Sequence, residues 1–196
     1  MFKNRLNMRK VATIVACLAV ITAFCGCDKK DDPKFRIGQE YQGGIIAYID
    51  ASGEHGLIAA AEDQSIGITW GKTGAVSEPG IGAFATNARA TAIWTGKSNT
   101  DKIVELTFEG EYAARICYDL VLNGYDDWFL PSRDELSELY KNRAKIGGFV
   151  STSKYWSSSE GTYNNAYCQD FSDEGKSPGS EFKMSNFHRV RAVRYF

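Results

Sequence analysis

Four carboxylates lie close together around Trp128, and paired carboxylates are the side chains that general acid–base catalysis uses. They are Asp126, Asp127, Asp134 and Glu135. Ser132 and Glu135, however, have the spacing of a helix capping box, and acidic residues in a first helical turn complement the helix dipole. Asp126 and Asp127 fit an Asx-type turn. The segment is therefore better explained as fold architecture than as an active site.

Other catalytic patterns are absent from the sequence. The serine run 157–159 has no histidine near it, and the only two histidines, His55 and His188, are far apart in the chain. No Cys-x-x-Cys pair follows Cys27, and no glycine-rich phosphate loop is present. We expect a protein that is not an enzyme and that has no metal site.

A polar loop with an aromatic residue is the candidate ligand-binding segment. It contains Glu160, Tyr163, Asn164 and Asn165. An aromatic ring can cover the C–H face of a sugar while amides and carboxylates bind its hydroxyls. Carboxylate and amide oxygens also suit calcium. We expect no cofactor, with calcium as the alternative, although the Glu-Pro-Asn and Trp-Asn-Asp signatures of calcium-dependent lectins are absent.

The C-terminal region carries a second candidate, a group of cations that could converge on a sulfate. The group comprises Lys183, His188, Arg189, Arg191 and Arg194. Arg189 and Arg191 are its candidate ligand-binding residues. The alternative is that the arginines pair with acids such as Asp126, Asp127 or Glu160 and stabilise the fold, and we favour that alternative.

The elements that must position these residues follow from hydrophobic patterns. Segments 43–50 and 57–61 predict a strand hairpin around a turn that contains His55, and 62–108 reads as a long irregular section. A helix is predicted at 111–122 from one apolar stripe, and a second begins after Ser132. The stripe consists of Ala113, Ile116, Cys117, Leu120 and Val121.

The last third of the chain reads as strands. They are predicted at 155–159, 166–171, 181–185 and 189–196. Strands, then two helices, then strands indicate an α+β fold with antiparallel strands rather than alternating β-α-β units.

The N-terminus resembles a lipoprotein signal. A basic start precedes an apolar run at 11–24, and Cys27 follows a glycine, which predicts a signal peptide at 1–26 with Cys27 lipidated. An ordinary secretory signal or an anchor helix is the alternative. The charged segment 27–36 is a flexible tether, and 37–196 is one domain. The Lys-Asp-Asp run resembles a surface-export signal, so we expect a surface-exposed outer-membrane lipoprotein.

The net charge and the cysteine content limit which partners and which disulfides we expect. Without the four basic residues before Cys27, 19 basic and 24 acidic side chains remain, a net charge of −5. That balance disfavours nucleic acid and polyanions as partners. Cys117 and Cys168 would remain after lipidation of Cys27. They either form a disulfide, which an exported compartment permits, or pack as free thiols.

Several ordered motifs resemble the C-terminal domain family of a bacterial collagen-like adhesin. They are 41–45 (YQGGI), 55–60 (HGLIAA), 119–124 (DLVLNG), 127–136 (DWFLPSRDEL), 155–160 (YWSSSE), 165–166 (NA) and 189–194 (RVRAVR). The same order is similar, more weakly, to the C-type lectin-like and formylglycine-generating-enzyme fold. The resemblance implies a lectin-like mixed domain. The adhesin binds sulfated glycosaminoglycans, but this chain is acidic and lacks collagen-like repeats, and its cysteines match no catalytic motif of the enzyme.

The expected function is therefore a surface-anchored, non-catalytic adhesion module, held to the membrane by its N-terminal lipid and binding glycan. The alternative is a structural or assembly lipoprotein that binds an envelope or host protein. An enzyme is the least favoured class.

Overall fold

A computed structural model describes residues 34–71, 85–106, 110–172, 174 and 178–196. The predicted signal peptide, Cys27 and the first part of the tether lie outside these ranges. No helix within the ranges is long and apolar enough to span a bilayer.

The first sheet contains the predicted hairpin. Its strands are β1 (Glu40–Tyr41), β2 (Gly44–Ile49), β3 (Gly56–Ala59) and, from the C-terminus, β7 (Val193–Tyr195). They lie in the order β1-β2-β3-β7, and every pair is antiparallel. The predicted final strand at 189–196 is shorter than expected. Before β7 the chain crosses between the sheets, where Arg189 bridges Tyr155 and Val190 bridges Ser65.

The second sheet contains β4 (Lys154–Glu160), β5 (Asn165–Asp170) and β6 (Gly179–Phe182), in that order and antiparallel. The first two strands match their predictions closely. The third starts earlier than the predicted 181–185. Trp156 lies opposite Cys168, and Ala166 lies opposite Glu181.

Four helices, not the predicted two, occur in the described residues. They are α1 (Gly96–Leu106), α2 (Ala113–Tyr118), α3 (Arg133–Lys141) and the single turn α4 (Arg143–Ile146). The fold is thus the predicted mixed α+β domain, but α1 lies inside the section predicted to be irregular. Helix α2 ends earlier than expected, and Val121 is 72% exposed, so it does not belong to the buried stripe.

Helix α1 was not predicted, because several of its buried residues are polar. Asn99 and Thr100 are fully buried. The Asn99 amide donates to the Ala90 carbonyl over 2.6 Å, and the Thr100 hydroxyl donates to the Leu130 carbonyl over 3.2 Å. These side chains bind backbone carbonyls of neighbouring segments, and their polarity removes the apolar period from the sequence.

The disulfide between Cys117 and Cys168, one of the two alternatives that the sequence left open, is not present in the structure. Both are free thiols, and both lie buried in the apolar cluster that contains Trp70, Trp128 and Trp156. Burial raises the pKa of the Cys168 thiol to about 12 and raises that of Cys117 as well, so both thiols stay protonated at neutral pH. The alternative prediction, cysteine as a packing residue, describes them correctly.

Candidate functional site: a groove between a helix and the second sheet

A groove of about 630 Å³ lies where the outer face of α3 meets β5. Two aromatic residues, Tyr140 from α3 and Tyr167 from β5, contribute to its lining. Four charged side chains of α3 also line it: Arg133, Asp134, Glu138 and Lys141. The groove therefore combines aromatic surface with closely spaced donors and acceptors.

The charges of the groove are paired within α3. Arg133 donates to Asp134 over 2.8 Å, and Lys141 donates to Glu138 over 2.6 Å. The Arg133 guanidinium also lies 5.4 Å from the centre of the Tyr167 ring. Asp134 is the main cause of the raised pKa of Arg133. The four charges sum to zero, so the groove has no excess of cations to attract a sulfate.

Helix α3 is held in place by the predicted capping box. The Ser132 hydroxyl accepts from the Glu135 amide over 3.3 Å, and the Glu135 carboxylate accepts from the Ser132 amide over 2.7 Å. Ser132 also donates to the Ala92 carbonyl over 2.8 Å. The start of α3 is thus fixed to the loop that supplies Ile93 to the groove.

Glu135 is buried and joins three parts of the fold. Its carboxylate accepts from the amides of Trp94 and Ser132 at 2.8 and 2.7 Å and from the Tyr195 hydroxyl at 3.0 Å. The Gly96 amide lies at 3.5 Å. Burial, against these hydrogen bonds, raises the pKa of Glu135. Glu135 therefore has a structural role, as its position in the capping box predicted.

Glu135→Gln is therefore expected to lower the free energy of unfolding by about 1–3 kcal/mol. All of its partners in the structure donate, and the amide nitrogen of glutamine cannot accept, so at least one buried donor would lose its partner. Urea denaturation measures the change. Glu138→Gln, a partly exposed site on the same helix, is the control and should be nearly neutral. Equal losses in the two variants would contradict this account of Glu135.

The predicted sugar-binding loop is only partly available to a ligand. Tyr163 is 42% exposed, and Asn164 is exposed. Glu160 is buried, where it accepts from the Thr86 amide over 2.9 Å and from the Lys183 ammonium over 2.5 Å. Asn165 begins β5 and is half-buried. The loop and the groove do not share residues, so the structure does not bring this predicted set into the cavity.

Most side chains of the predicted cation group are buried and paired with acids. Arg191 is fully buried, and Arg194 and Lys183 are nearly so. Arg194 donates to Asp127 through two nitrogens at 2.6 and 2.9 Å, and Lys183 pairs with Glu160. The favoured alternative is thus correct for Arg194 with Asp127, whereas Glu160 pairs with the lysine of the group and not with one of its arginines. Arg191 has no exposed surface for a sulfate.

Asp63 is the acid that sequence analysis missed. It is the partner of both candidate arginines: Arg189 donates to it over 3.0 Å and Arg191 over 2.8 Å. The Tyr155 hydroxyl adds a third bond at 2.9 Å. Its one sequence signal is its place a few residues after the second strand of the hairpin, which is too common a pattern to identify it.

Among the described residues, the structure brings together a set of three that is suited to a metal. Ligand atoms of Cys168, Glu181 and His188 lie within 4.8 Å of one another. The spacing of the two histidines gave no support for such a site, because the cluster uses one histidine only.

In the part of the chain that the structure describes, two small antiparallel sheets, four short helices and a surface groove form a small mixed α+β domain. The Lcl C-terminal domain family matches residues 59–194, well over half of the chain, and the chain belongs to this family. This confirms the resemblance seen in the sequence and indicates a surface-associated, adhesin-related module. No curated protein matches the chain.

Proposed function

We propose that this domain is a non-catalytic glycan-binding module of a surface lipoprotein, and that the groove between α3 and β5 holds the sugar. The observation that carries the proposal is the chemistry of the groove. Tyr140 and Tyr167 offer aromatic surface beside the hydrogen-bonding groups of Arg133, Asp134 and Glu138. Sugar rings need this combination, because they have apolar C–H faces and hydroxyl edges.

The paired charges favour an uncharged glycan over a sulfated one. Sulfate binding needs cations that are free to turn towards the ligand. In the groove each cation already contacts a carboxylate of its own helix, at 2.8 Å for Arg133 and 2.6 Å for Lys141. A sulfated polymer would have to approach those carboxylates, on a mature chain with a net charge of −5.

The proposal that the protein is anchored to a membrane depends on the N-terminal sequence. The basic start, apolar run and Cys27 support lipidation, and the charged tether would hold the domain away from the membrane. Family membership supports a position at the cell surface. An outer-membrane location with the domain facing outward is the arrangement that serves adhesion.

A second candidate function, binding of an envelope or host protein, is favoured by one apolar surface. Ile66 is 78% exposed and Phe187 is 81% exposed. The segments that carry them are adjacent, because a Cβ at Gly67 would lie 3.7 Å from the Phe187 backbone. Two large exposed apolar side chains on adjacent segments suit a small protein contact better than a sugar.

A glycan array probed with the purified full chain tests the first proposal. We expect binding to one class of uncharged glycan, reduced about tenfold, or about 1.4 kcal/mol, by Tyr167→Ala. Asp134→Ala should also weaken binding. Tyr163→Ala removes an exposed tyrosine outside the groove and serves as the control. Thermal melts of each variant show whether the fold is kept.

The outcomes separate the alternatives. Binding lost in Tyr163→Ala but kept in Tyr167→Ala would place the sugar at the loop and refute the groove. Binding that needs calcium and disappears with a chelator would add the alternative cofactor. A preference for sulfated glycans would contradict the charge argument. A blank array would reject glycan binding and direct attention to the surface of Ile66 and Phe187.

A further inference from the structure

Two potential metal ligands lie on one face of the second sheet. In the register of β5 and β6, Cys168 is opposite Gly179 and Ala166 is opposite Glu181. Residues two apart on a strand share a face, so Cys168 and Glu181 are diagonal neighbours on the same side of the sheet. Cys168 is buried, and the Glu181 side chain is 37% exposed. The pair thus lies at the boundary between the core and solvent.

His188 completes the group from the segment after β6. Its ring stacks on Trp156 with centroids 4.2 Å apart, and Trp156 lies directly opposite Cys168 on β4. The imidazole therefore covers the same face of the sheet. His188 is only 6% exposed, so its ring lies in the protein interior.

One nitrogen of that ring has no partner. Nδ1 lies 3.4 Å from the Ser185 hydroxyl, whereas Nε2 is buried and makes no hydrogen bond in the part of the chain that the structure describes. An unpaired polar atom in a protein interior costs free energy and needs an explanation. A metal ion bound at Nε2 would supply one.

We propose that Cys168, Glu181 and His188 bind a single divalent transition-metal ion, with Zn²⁺ as the expected ion. One ligand atom from each residue lies within 4.8 Å of the others, which a modest movement would close around one ion. A thiolate and an imidazole select zinc-like metals over calcium or magnesium, and three protein ligands leave a fourth position for water or another donor.

The charges of such a site balance. Coordination releases the thiol proton of Cys168 to solvent, and the resulting thiolate and the Glu181 carboxylate together neutralise the two positive charges of the ion. Glu181 currently accepts from the Lys154 ammonium, whose side chain is 41% exposed. When Glu181 binds the metal, the Lys154 ammonium would be hydrated by solvent instead. Replacing the ion pair by the metal therefore leaves no buried charge unpaired.

Titration of the full chain with Co²⁺, followed by competition with Zn²⁺, tests the proposal. We expect one equivalent of Co²⁺ to produce a thiolate-to-cobalt charge-transfer band that Zn²⁺ abolishes. Cys168→Ser should lose the band. Cys117→Ser is the matched control, since Cys117 is an equally buried cysteine outside the cluster, and it should keep the band. Cys17, Cys25 and Cys27 are present in every variant, so the difference between Cys168→Ser and Cys117→Ser reports on the cluster alone.

A second variant keeps the proposal testable if Cys168→Ser does not fold. Glu181→Gln changes a partly exposed residue, so it should fold, keep the thiolate band and bind Zn²⁺ more weakly than the unchanged chain. Asp101→Asn, which breaks the exposed Lys97–Asp101 pair on α1, should bind as the unchanged chain does. Absence of a thiolate band in the unchanged chain, or equal binding by Cys168→Ser and the unchanged chain, would overturn the proposal. So would equal affinity in Glu181→Gln and the unchanged chain.

Discussion

Replacing Asp63 with alanine is expected to lower the free energy of unfolding by about 3–5 kcal/mol, because it leaves the buried Arg191 guanidinium without its counter-ion. Arg191 is fully buried, and its closest contact with Asp63 is 2.7 Å. Asp63 also accepts from Arg189 and from the Tyr155 hydroxyl. Three donors would thus lose one acceptor in a single substitution.

The rest of the Arg191 environment cannot replace the carboxylate. The guanidinium donates to the carbonyls of Ala60 and Ala61 at 3.0 Å and of Gly148 at 2.6 Å, and it lies 4.2 Å from the centre of the Phe149 ring. These contacts join the end of β3, the loop after α4 and the C-terminal segment. They satisfy hydrogen bonds but carry no net negative charge, so the cation would stay uncompensated.

Guanidinium chloride unfolding of Asp63→Ala and of a double variant, Asp63→Leu with Arg191→Met, measures this effect. The double variant removes both charges and should recover part of the loss, because replacing a buried pair by apolar groups costs less than breaking it. Asp101→Ala, in an exposed pair, is the control. A loss below about 1 kcal/mol in Asp63→Ala, the range of surface pairs, would contradict the structural role of Asp63.

Sequence patterns predicted the local parts of this fold well. The capping box at Ser132 and Glu135 was correct because both halves of the motif lie within one helical turn. The hairpin of β2 and β3 was correct because its strands are continuous apolar runs around a turn. In both cases the residues that determine the structure are also neighbours in the sequence.

Features that depend on distant partners were missed. Thr100 hydrogen-bonds Leu130, 30 residues away, so α1 has inward polar residues that look like loop residues in the sequence. Asp63 and Arg191 are 128 residues apart, and many acids could have been the partner of that arginine. The groove and the Cys168 cluster likewise join separate elements. The residue types indicated what each side chain could bind. Which of these side chains lie together depends on the packing of α3 on β5 and of β5 on β6, and the sequence patterns did not predict that packing.

Glu160→Gln is expected to destabilise the domain by about 3–5 kcal/mol at pH 7, since it leaves the Lys183 ammonium without its carboxylate. Both side chains are essentially buried, with Nζ and Oε1 2.5 Å apart. The ammonium also donates to the Tyr163 carbonyl over 2.9 Å and lies 4.7 Å from the centre of the Trp70 ring. Neither of these neighbours carries a negative charge that could replace Glu160.

The pH dependence distinguishes this charge effect from simple loss of packing. Burial already lowers the pKa of Lys183, and Glu160 opposes that shift, so the variant should lower the pKa of Lys183 further. The unfolded chain, with a lysine pKa of about 10.4, then binds more protons than the folded variant over a wider range of pH. Stability of the variant therefore rises with pH in that range, and its deficit relative to the unchanged chain should shrink between pH 7 and pH 10. Urea unfolding across this range measures the deficit, with Asp101→Asn as a control whose small deficit stays constant. A deficit in Glu160→Gln that is independent of pH would show that packing, and not the loss of the carboxylate beside Lys183, is what the substitution disturbs.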